Sequence, residues 1–231
     1  MKIKIIDTET SCLNGSILEV GAVSVDNTFK LVSTHEHLIS PPDGTVINPK
    51  AMEVHGITYE MLEGKPYFEE VAEEYNDAEV YIAHNYNFDK RMLTKADKSF
   101  SKKKWLCTLK IARMAYPDAP SYKLMELFSY LGLDKGWTYS GTAHRALYDC
   151  MVTYEVLKHI AKTLGVSTVE ELIEASTPNV ATMKCGFKKY RGVPWEVVLQ
   201  KDRSYCEWLL GNALKSSRDE DVRMWLTKEL N

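Results

Sequence analysis

Four carboxylates in three separate segments of the chain have the residue types and spacing of a chemical site. Asp7 and Glu9 stand two residues apart in IIDTETSCLNGSILEVGAV, residues 5–23, directly after an apolar run. Because side chains alternate across a β-strand, Asp7 and Glu9 point to the same face of the strand predicted there. Asp89 lies in the first turn of a predicted helix, and Asp149 lies near the buried side of another. Each position alone also fits an ordinary role, since carboxylates are common at exposed strand ends and in first turns of helices.

Brought together, these four negative charges need cations, because buried carboxylates are unfavourable without a partner and like charges repel each other. Oxygen ligands select hard ions such as Mg²⁺ and Mn²⁺. Two such ions, about 3.5–4 Å apart, serve in-line displacement at phosphorus by activating a water and stabilising the leaving oxygen. We therefore expect a site for two Mg²⁺ ions, with Mn²⁺ as a substitute.

A histidine that could act as a general base lies close to the last of these carboxylates. His144 precedes Asp149 by five residues, which on an ideal helix would separate the two side chains by about 140° around the axis. They converge only if His144 lies on the loop or first turn that enters the helix, and the preceding Gly141 and Thr142 favour this. The pKa of histidine is near neutral, which suits a base acting on water.

The first forty residues predict the strands that must position Asp7 and Glu9. IKIID, ILEVGAVSVD and FKLVSTHEHLI, residues 3–7, 17–26 and 29–39, are rich in apolar and β-branched residues. NGS between the first two is typical of a turn, and Pro41–Pro42 ends the third. These short connections predict an antiparallel meander.

The rest of the first 165 residues alternates between predicted helices and strands. The predicted strands are VYIAHN at 80–85 and WLCT at 105–108. The predicted helices are short pieces in 48–58, a helix in 67–77, then 87–96, 109–116, 121–133 with Ser121 as N-cap, and 142–165 ending at Gly165. A meander followed by this alternation predicts an α/β fold with a mixed β-sheet flanked by helices.

Residues 166–182 predict a short helix followed by a polar stretch around Pro178. We place a linker at 167–182, between a domain at 1–166 and a small C-terminal module at 183–231. In this module GFKKYRG, residues 186–192, interleaves two aromatic residues with three basic ones. Aromatic rings stack on bases and cations hold phosphates, so the module is a candidate for DNA binding. In the alternative interpretation the aromatic residues form the module's own core, together with Trp195, Trp208 and Leu209.

The composition and the cysteine pattern bear on the predicted cellular location of the protein. No apolar run approaches the roughly 18–20 residues needed to span a membrane, and the N-terminus lacks a signal peptide pattern. The five cysteines are scattered and form no C-x-x-C pair, which favours reduced thiols over a zinc site or disulfide framework. We expect a cytoplasmic protein that does not bind a membrane. The oligomeric state is open, and a homodimer is one of the alternatives.

The three carboxylate segments resemble the motifs of the DEDD superfamily of 3′–5′ exonucleases. The matching motifs are DTET at 7–10, HNxxFD at 84–89 and HxxxxD at 144–149. The histidine five residues before the last aspartate is typical of the His subtype, because the Tyr subtype has tyrosine four residues before it, where this chain has Arg145. AMEVHGIT at 51–58 is also similar to a stretch between the first two motifs. The resemblance covers residues 3 to about 165.

This resemblance implies a ribonuclease-H-like fold and the removal of nucleotides from 3′ ends. It implies, by position, these metal ligands: Asp7, Glu9, Asp89 and Asp149. His144 would be the general base. It implies these substrate-binding residues: Thr8, Thr10, Leu13, His55 and Asn85. Leu13 would be an apolar wedge against the terminal nucleotide.

The resemblance also bears on the substrate. WLCTLKIAR at 105–113 and FKKYRGVP at 187–194 are most similar to an exodeoxyribonuclease branch of the superfamily. That implies DNA with a 3′ end, single-stranded and in duplex, as the partner, with a role in DNA repair or end processing. Two alternatives stay open. One is an exoribonuclease, since the catalytic motifs do not read the 2′-OH. The other is a non-catalytic nucleic-acid-binding or polymerase-associated subunit, although the presence of all five catalytic residues favours an enzyme.

Overall fold

The chain divides into two units, residues 1–173 and 174–231, in a computed structural model that describes residues 1–176, 180–216 and 219–230. Each unit has its own hydrophobic core.

Five strands form one mixed sheet in the order β3-β2-β1-β4-β5. They are β1 (Ile3–Thr10), β2 (Ile17–Val25), β3 (Leu31–Leu38), β4 (Val80–Ala83) and β5 (Lys104–Cys107). β2 pairs antiparallel with both β1 and β3, whereas β4 pairs parallel with β1 and β5. The predicted meander and mixed sheet are confirmed, and β1 is the central strand.

Helices flank the sheet of the first unit, as predicted. They are α1 (Pro49–His55), α2 (Tyr59–Leu62), α3 (Phe68–Val71), α4 (Glu73–Asn76), α5 (Asn87–Ala96), α6 (Thr108–Ala115), α7 (Leu124–Tyr130), α8 (Ala146–Leu164) and α9 (Val169–Ser176). The end of α8 at Gly165 is confirmed, because this residue caps the helix with a φ of 70°. Glycine adopts that left-handed conformation without the strain other residues would meet.

Alternation along β1 builds a core on each side of the sheet. Ile3 and Ile5 pack in one core with buried residues of α8, among them Leu157 and Ile160. Ile6 faces the other way and packs with Met92 of α5 and other residues of that second core. Because α5 and α8 lie on opposite sides of β1, they bring Asp89 and Asp149 to it from two directions.

Three predicted helices differ from the structure. α8 begins at Ala146, four residues after the predicted start at 142. The segment 67–77 forms two short helices, α3 and α4, although Phe68, Val71 and Tyr75 are buried as predicted. α7 begins three residues later than predicted, and its N-cap is Lys123 rather than Ser121. The Ser121 hydroxyl instead accepts a hydrogen bond from the Lys123 N–H at 3.3 Å, which closes the turn before the helix.

The short helix predicted within residues 166–182 is confirmed. α9 falls inside the range 167–182, and its Val169 and Leu172 are buried in a core of the first unit. Apolar residues on one face of this helix attach it to that unit. The proline at 178, on which the linker prediction rests, lies outside the described residues.

The second unit contains α10 (Trp195–Lys201), α11 (Arg203–Asn212) and α12 (Glu220–Leu230). Phe187 and Tyr190 are partly buried against its core, and the Phe187 ring contacts Trp195 edge-on at 6.2 Å between centroids. This favours the structural interpretation of both aromatic residues. Trp208, which that interpretation placed in the core, is 56% exposed, so the core prediction is wrong for this residue. DNA binding by the unit stays a prediction.

Two observations bear on the predicted setting. Among the described residues, no helix has the length and apolar character to cross a membrane. The five cysteines are free thiols.

Candidate active site

The site begins at the C-terminal end of β1. Asp7 lies opposite Gly21 of β2, and Glu9 lies opposite Glu19, in the antiparallel register of the two strands. Both are half-buried, whereas Thr8 between them is buried. Asp7 and Glu9 therefore share one face of the strand, as the alternation predicts.

Asp89 reaches the site from the first turn of α5. It is only 3% exposed, and its Oδ1 accepts hydrogen bonds from the Thr8 N–H at 3.0 Å and the Thr8 hydroxyl at 2.9 Å. The Thr8 side chain was predicted to bind substrate. It is buried, and its hydroxyl donates to a carboxylate of the site; substrate binding by Thr8 stays a prediction.

Asp149 and His144 come from the start of α8. Asp149 is buried in the first turn of the helix, and His144 lies in the preceding loop with an exposed side chain. The predicted loop position of His144 is confirmed. Its φ of 64° is unusual for a residue other than glycine, and its N–H donates to both Asp149 carboxylate oxygens at 3.3 Å. The residue that the chemistry would use as a base is held in a strained backbone conformation beside a carboxylate.

The close approach of α8 to the sheet depends on a glycine. A Cβ at Gly21 would lie 2.4 Å from the Leu147 N and 2.5 Å from the Ala146 carbonyl carbon. Only glycine leaves room for the helix backbone here. Since Gly21 is the partner of Asp7 in the sheet, this contact sets the distance between Asp7 and Asp149.

These elements bring the predicted metal-ligating residues together. Ligand atoms of Glu9, His144 and Asp149 all lie within 4.8 Å of one another. The charges of Asp89, Asp149 and Glu9 all act on Asp7. We call Asp7, Glu9, Asp89 and Asp149 the carboxylate cluster.

The electrostatics of the carboxylate cluster fit a divalent cation. Burial, followed by the charges of Asp89 and Asp149, raises the pKa of Asp7 well above its ordinary value. Burial and neighbouring carboxylates raise the pKa of Glu9 to about 8. Burial raises the pKa of Asp89 to about 7, and that of Asp149 to about 6 against the opposing charge of His144. Carboxylates this crowded repel one another, and oxygen donors of this kind suit hard divalent ions.

One buried ion pair beside the cluster was missed by the sequence analysis. Glu19 of β2 is 0% exposed. Its carboxylate accepts from Arg145 Nε at 3.0 and 3.1 Å and from the Ala146 N–H at 2.9 Å. Glu19 thus attaches the start of α8, including the residue next to His144, to the sheet. A lone carboxylate inside the apolar strand ILEVGAV was the available signal, because a buried charge requires a partner.

The turn after β1, residues 11–16, which we call the Leu13 turn, contains one predicted substrate residue, Leu13, and a second, Thr10, is the last residue of β1. Leu13 is 77% exposed, a large apolar side chain in solvent directly after the strand that carries Asp7 and Glu9. Thr10 is buried, and its hydroxyl donates to the Cys12 carbonyl at 2.9 Å. Leu13 is therefore free to meet a ligand, whereas Thr10 stabilises the turn.

The other two predicted substrate residues differ in exposure. Asn85 is exposed, with a φ of 68°, between β4 and α5. His55 is buried at the end of α1, and its Nδ1 accepts from the Ile57 N–H at 3.0 Å. Its Nε2 has no partner with hydrogen-bond geometry among the described residues. Burial lowers the pKa of this imidazole, and the nearby Thr10 backbone opposes that shift.

Comparison with known proteins identifies the family. The exonuclease family model, RNase_T, matches residues 5–157. The chain belongs to this exonuclease family. Exodeoxyribonuclease 10 of Escherichia coli (strain K12) is 36% identical over 224 residues, which cover 97% of this chain and 96% of that protein. DNA polymerase III subunit epsilon of Pasteurella multocida (strain Pm70) is 32% identical, over 78% of this chain and 74% of the relative.

A solved exonuclease has the same fold. The structure of exonuclease X in complex with 5′ overhanging duplex DNA matches with a TM-score of 0.63 and 36% identity, over 75% of this chain and 99% of that one. The predicted ribonuclease-H-like fold and DEDD membership are confirmed. This exonuclease is accordingly a 3′–5′ hydrolase of the DEDD superfamily, a family that generally uses divalent metal ions.

Proposed function

We propose that this exonuclease removes nucleotides from the 3′ ends of DNA by hydrolysis with two bound Mg²⁺ ions, releasing nucleoside 5′-monophosphates. The observation that carries the proposal is the convergence of Glu9, His144 and Asp149 within 4.8 Å, at the strand end where Asp7 and Asp89 also meet. Four carboxylates and one histidine from three segments have no structural reason to be crowded in this way, since their mutual repulsion opposes folding.

In this proposal the carboxylate cluster holds the metal ions, and Mn²⁺ can replace Mg²⁺. When bound, the ions neutralise the carboxylates and stabilise charge on the attacking and leaving oxygens. Thr8 keeps Asp89 oriented through its two hydrogen bonds. Fixing a ligand through its hydrogen-bond partners is how proteins set the geometry of a metal site.

His144 is the general base of the proposed reaction. Its imidazole is exposed next to the carboxylate cluster, where it accepts the proton from the attacking water. Asp149 accepts a hydrogen bond from the N–H of this residue, and Glu19 holds the two residues that follow it, Arg145 and Ala146. Leu13 packs against the terminal base and Asn85 lines the entrance to the site.

DNA is the proposed substrate because of the relatives. A protein called exodeoxyribonuclease 10 shares 36% identity over nearly the full length of both chains. The matched exonuclease X structure holds 5′ overhanging duplex DNA. We therefore propose activity on single-stranded and duplex ends, in repair or end processing in the cytoplasm. DNA binding by the second unit and formation of a homodimer are two further proposals.

The substrate proposal is tested on 5′-labelled single-stranded DNA, duplex DNA and RNA of the same sequence, each incubated with the protein and Mg²⁺ or Mn²⁺. We expect a ladder of 3′-shortened products on DNA with the wild type and none with Asp149→Ala. A faster ladder on RNA would overturn the choice of DNA. The absence of a ladder on every substrate with either ion would overturn the exonuclease assignment itself.

A further inference from the structure

Two histidines lie on either side of Glu36 in β3, the edge strand of the sheet. Because side chains alternate across a strand, His35 and His37 share one face and Glu36 has the other. Their partners in β2 agree with this. His35 lies opposite Ala22 and His37 opposite Val20, and both partners belong to the core that α4 and α5 also line. The two histidines therefore face α4, on the side of the sheet away from α8.

One carboxylate of α4 lies next to both imidazoles. Glu74 Oε2 is 3.1 Å from His35 Nδ1, and Glu74 Oε1 is 3.9 Å from His37 Nε2. Within the described part of the chain, this carboxylate forms no ion pair with a lysine or an arginine. The Lys4 ammonium contacts the main-chain carbonyl of Glu74, but its charge is paired with the Asp77 carboxylate. The charged partners of the Glu74 side chain are thus the two histidines.

The other ring nitrogen of each histidine contacts a hydroxyl group. His37 Nδ1 lies 2.8 Å from the Tyr75 hydroxyl, and His35 Nε2 lies 3.3 Å from the Ser33 hydroxyl. Histidines that bind a metal usually hold their second nitrogen by a hydrogen bond, which fixes the tautomer and the orientation of the ring. Each imidazole here directs one nitrogen at Glu74 and is oriented through the other.

The hydrogen bonds of Tyr75 determine where the proton of His37 lies. This tyrosine is 0% exposed, and burial raises the pKa of its hydroxyl well above the usual value, so the hydroxyl keeps its proton. The hydroxyl donates this proton to the Val20 carbonyl at 3.3 Å, and therefore accepts from the Nδ1–H of His37. Neutral His37 then presents the lone pair of its Nε2 to a carboxylate oxygen. Two groups rich in electrons repel each other, and a cation between them removes the repulsion.

We propose that His35, His37 and Glu74 bind one Zn²⁺ ion, with water in the remaining position. Two histidines, one glutamate and one open position form a ligand set that zinc adopts in proteins. Ligands at about 2.0–2.1 Å from a tetrahedral zinc lie about 3.3 Å from one another, close to the 3.1 Å between Glu74 and His35. Rotation of the exposed Glu74 side chain closes the longer distance to His37. Residues two apart on a strand are separated by about 6.6 Å, a span that two imidazoles bridge around a single ion.

This site is separate from the carboxylate cluster. Asp7 and Glu9 share the face of β1 that carries Ile3 and Ile5, where α8 packs, whereas the two histidines lie on the other face of the sheet. The zinc ion joins the edge strand to α4 and takes no part in hydrolysis. The inference therefore goes beyond the proposed function and does not depend on it.

Zinc uptake by the full chain tests the site, measured by competition with a chromogenic zinc chelator in excess Mg²⁺. Zn²⁺ also competes with Mg²⁺ at the carboxylate cluster, so the quantity compared is the difference in uptake between proteins. The test variant is His35→Gln/His37→Gln, which keeps polar side chains on the strand. We expect the wild type to bind one Zn²⁺ per chain more than this variant. Glu74→Gln should bind the ion at least about tenfold more weakly, since even an outer partner of a metal ligand contributes that much.

Two control variants match these changes. Glu73→Gln removes the same charge from the neighbouring, exposed position of α4, and His159→Gln removes an imidazole from α8. Both should take up as much Zn²⁺ as the wild type. Circular dichroism verifies that every variant folds. Zn²⁺ in excess Mg²⁺ should raise the melting temperature of the wild type and of both controls more than that of His35→Gln/His37→Gln, because an ion that binds only the folded state stabilises it.

Equal uptake of Zn²⁺ by the wild type and His35→Gln/His37→Gln would overturn the site. Nitrogen-15 spectra of the imidazoles test the other way of placing a cation beside Glu74, which is a proton on His37. With one equivalent of Zn²⁺ we expect the signals of His35 Nδ1 and His37 Nε2 to shift. Imidazolium spectra that do not change on addition of Zn²⁺ would assign the contact to an ion pair and contradict the metal site. Exonuclease activity of the double variant in Mg²⁺ should equal that of the wild type, so failure of the zinc site and failure of the proposed function are distinguishable.

Discussion

Helix α5 lies between two charged regions, one of buried carboxylates and one of cations in contact with solvent. On one side Asp89 joins the carboxylate cluster, where like charges are buried and held by hydrogen bonds. On the other side of α5 is a surface that we call the basic groove. It is lined by Lys90, Arg91, Lys95 and Lys98, and the last three of these side chains are exposed to solvent. Buried groups that act as a unit give large, non-additive losses when one is removed. Exposed cations give small, additive and salt-dependent changes. Mutations on the two faces of this helix should therefore differ in the size and the additivity of their effects.

The largest effect is expected for Asp89→Asn, which removes charge from the cluster without changing shape. Loss of a metal ligand costs several kcal/mol of transition-state stabilisation, so the rate should fall at least about a thousandfold. Binding of DNA in EDTA should be as tight or tighter, because a negative charge near the phosphates is gone. The matched control is Asp97→Asn at the other end of α5, which should keep its activity. Activity of Asp89→Asn above a tenth of the wild-type rate would break the comparison.

His144→Ala should lower the rate about a hundredfold or more, within the range for loss of a general base. Metal affinity should change less than the rate, since His144 is assigned to the proton and not to the ions. Single-turnover rates and an Mn²⁺ titration on the same preparation measure both quantities. His159→Ala is the control, because this residue lies further along the chain on α8 and is hydrogen-bonded to Tyr116. A larger loss in metal affinity than in rate would remove the base role.

Glu19→Gln should slow the reaction about 10- to 100-fold, the usual size for a residue that orients the groups in contact with the metal. It leaves Arg145 without its charged partner, so the start of α8 and His144 lose a fixed position. The melting temperature should fall as well, because breaking a buried pair is destabilising. A kcat that falls while the KM for DNA is unchanged distinguishes positioning of the base from loss of substrate binding. A normal kcat in a folded Glu19→Gln protein would show that the pair is only structural.

The cluster also predicts how stability depends on pH without metal. The pKa of Asp7 is raised well above its ordinary value, and those of Glu9 and Asp89 are raised to about 8 and about 7. An acid whose pKa is higher in the folded than in the unfolded protein stabilises the fold while it is protonated. This stabilisation is lost as the pH rises through the pKa of the folded state. The EDTA-treated protein should therefore lose thermal stability from pH 7 to pH 8.5, a window above the titration of the buried histidines.

Divalent cations should reverse this loss, so adding Mg²⁺ should raise the melting temperature more at pH 8.5 than at pH 7. Asp7→Asn should show a smaller loss with pH and a smaller gain with Mg²⁺, whereas the groove variant Lys90→Gln/Lys98→Gln should follow the wild type. A wild-type melting temperature that rises across this window in EDTA, with no response to Mg²⁺, would contradict the electrostatic account of the cluster.

The sequence predicted the cluster better than its surroundings, for a physical reason. Asp7, Glu9 and Asp149 carry their chemistry in their residue type, and local periodicity places each on a strand or helix face. Contacts between distant segments have no such local signal. Glu19 and Arg145 are 126 positions apart, so their pairing became visible only when β2 and α8 were packed together.

The same limit applies to the residues around the site. The Thr8 hydroxyl could be assigned to substrate or to a neighbouring carboxylate until α5 was placed against β1. The basic groove depends on which side of α5 faces solvent and on the return of the Leu13 turn to Arg91. A charged stretch alone predicts a solvated helix face equally well.

The central claim is that the carboxylate cluster is a divalent metal site, and Mn²⁺ binding tests it most directly. Electron paramagnetic resonance of free Mn²⁺ measures uptake by the wild type, Asp89→Asn and Asp97→Asn in the presence of thymidine 5′-monophosphate. We predict two Mn²⁺ ions per chain for the wild type and Asp97→Asn, and the loss of at least one ion in Asp89→Asn. Equal uptake by Asp89→Asn and the wild type, or no saturable uptake by either, would contradict the account.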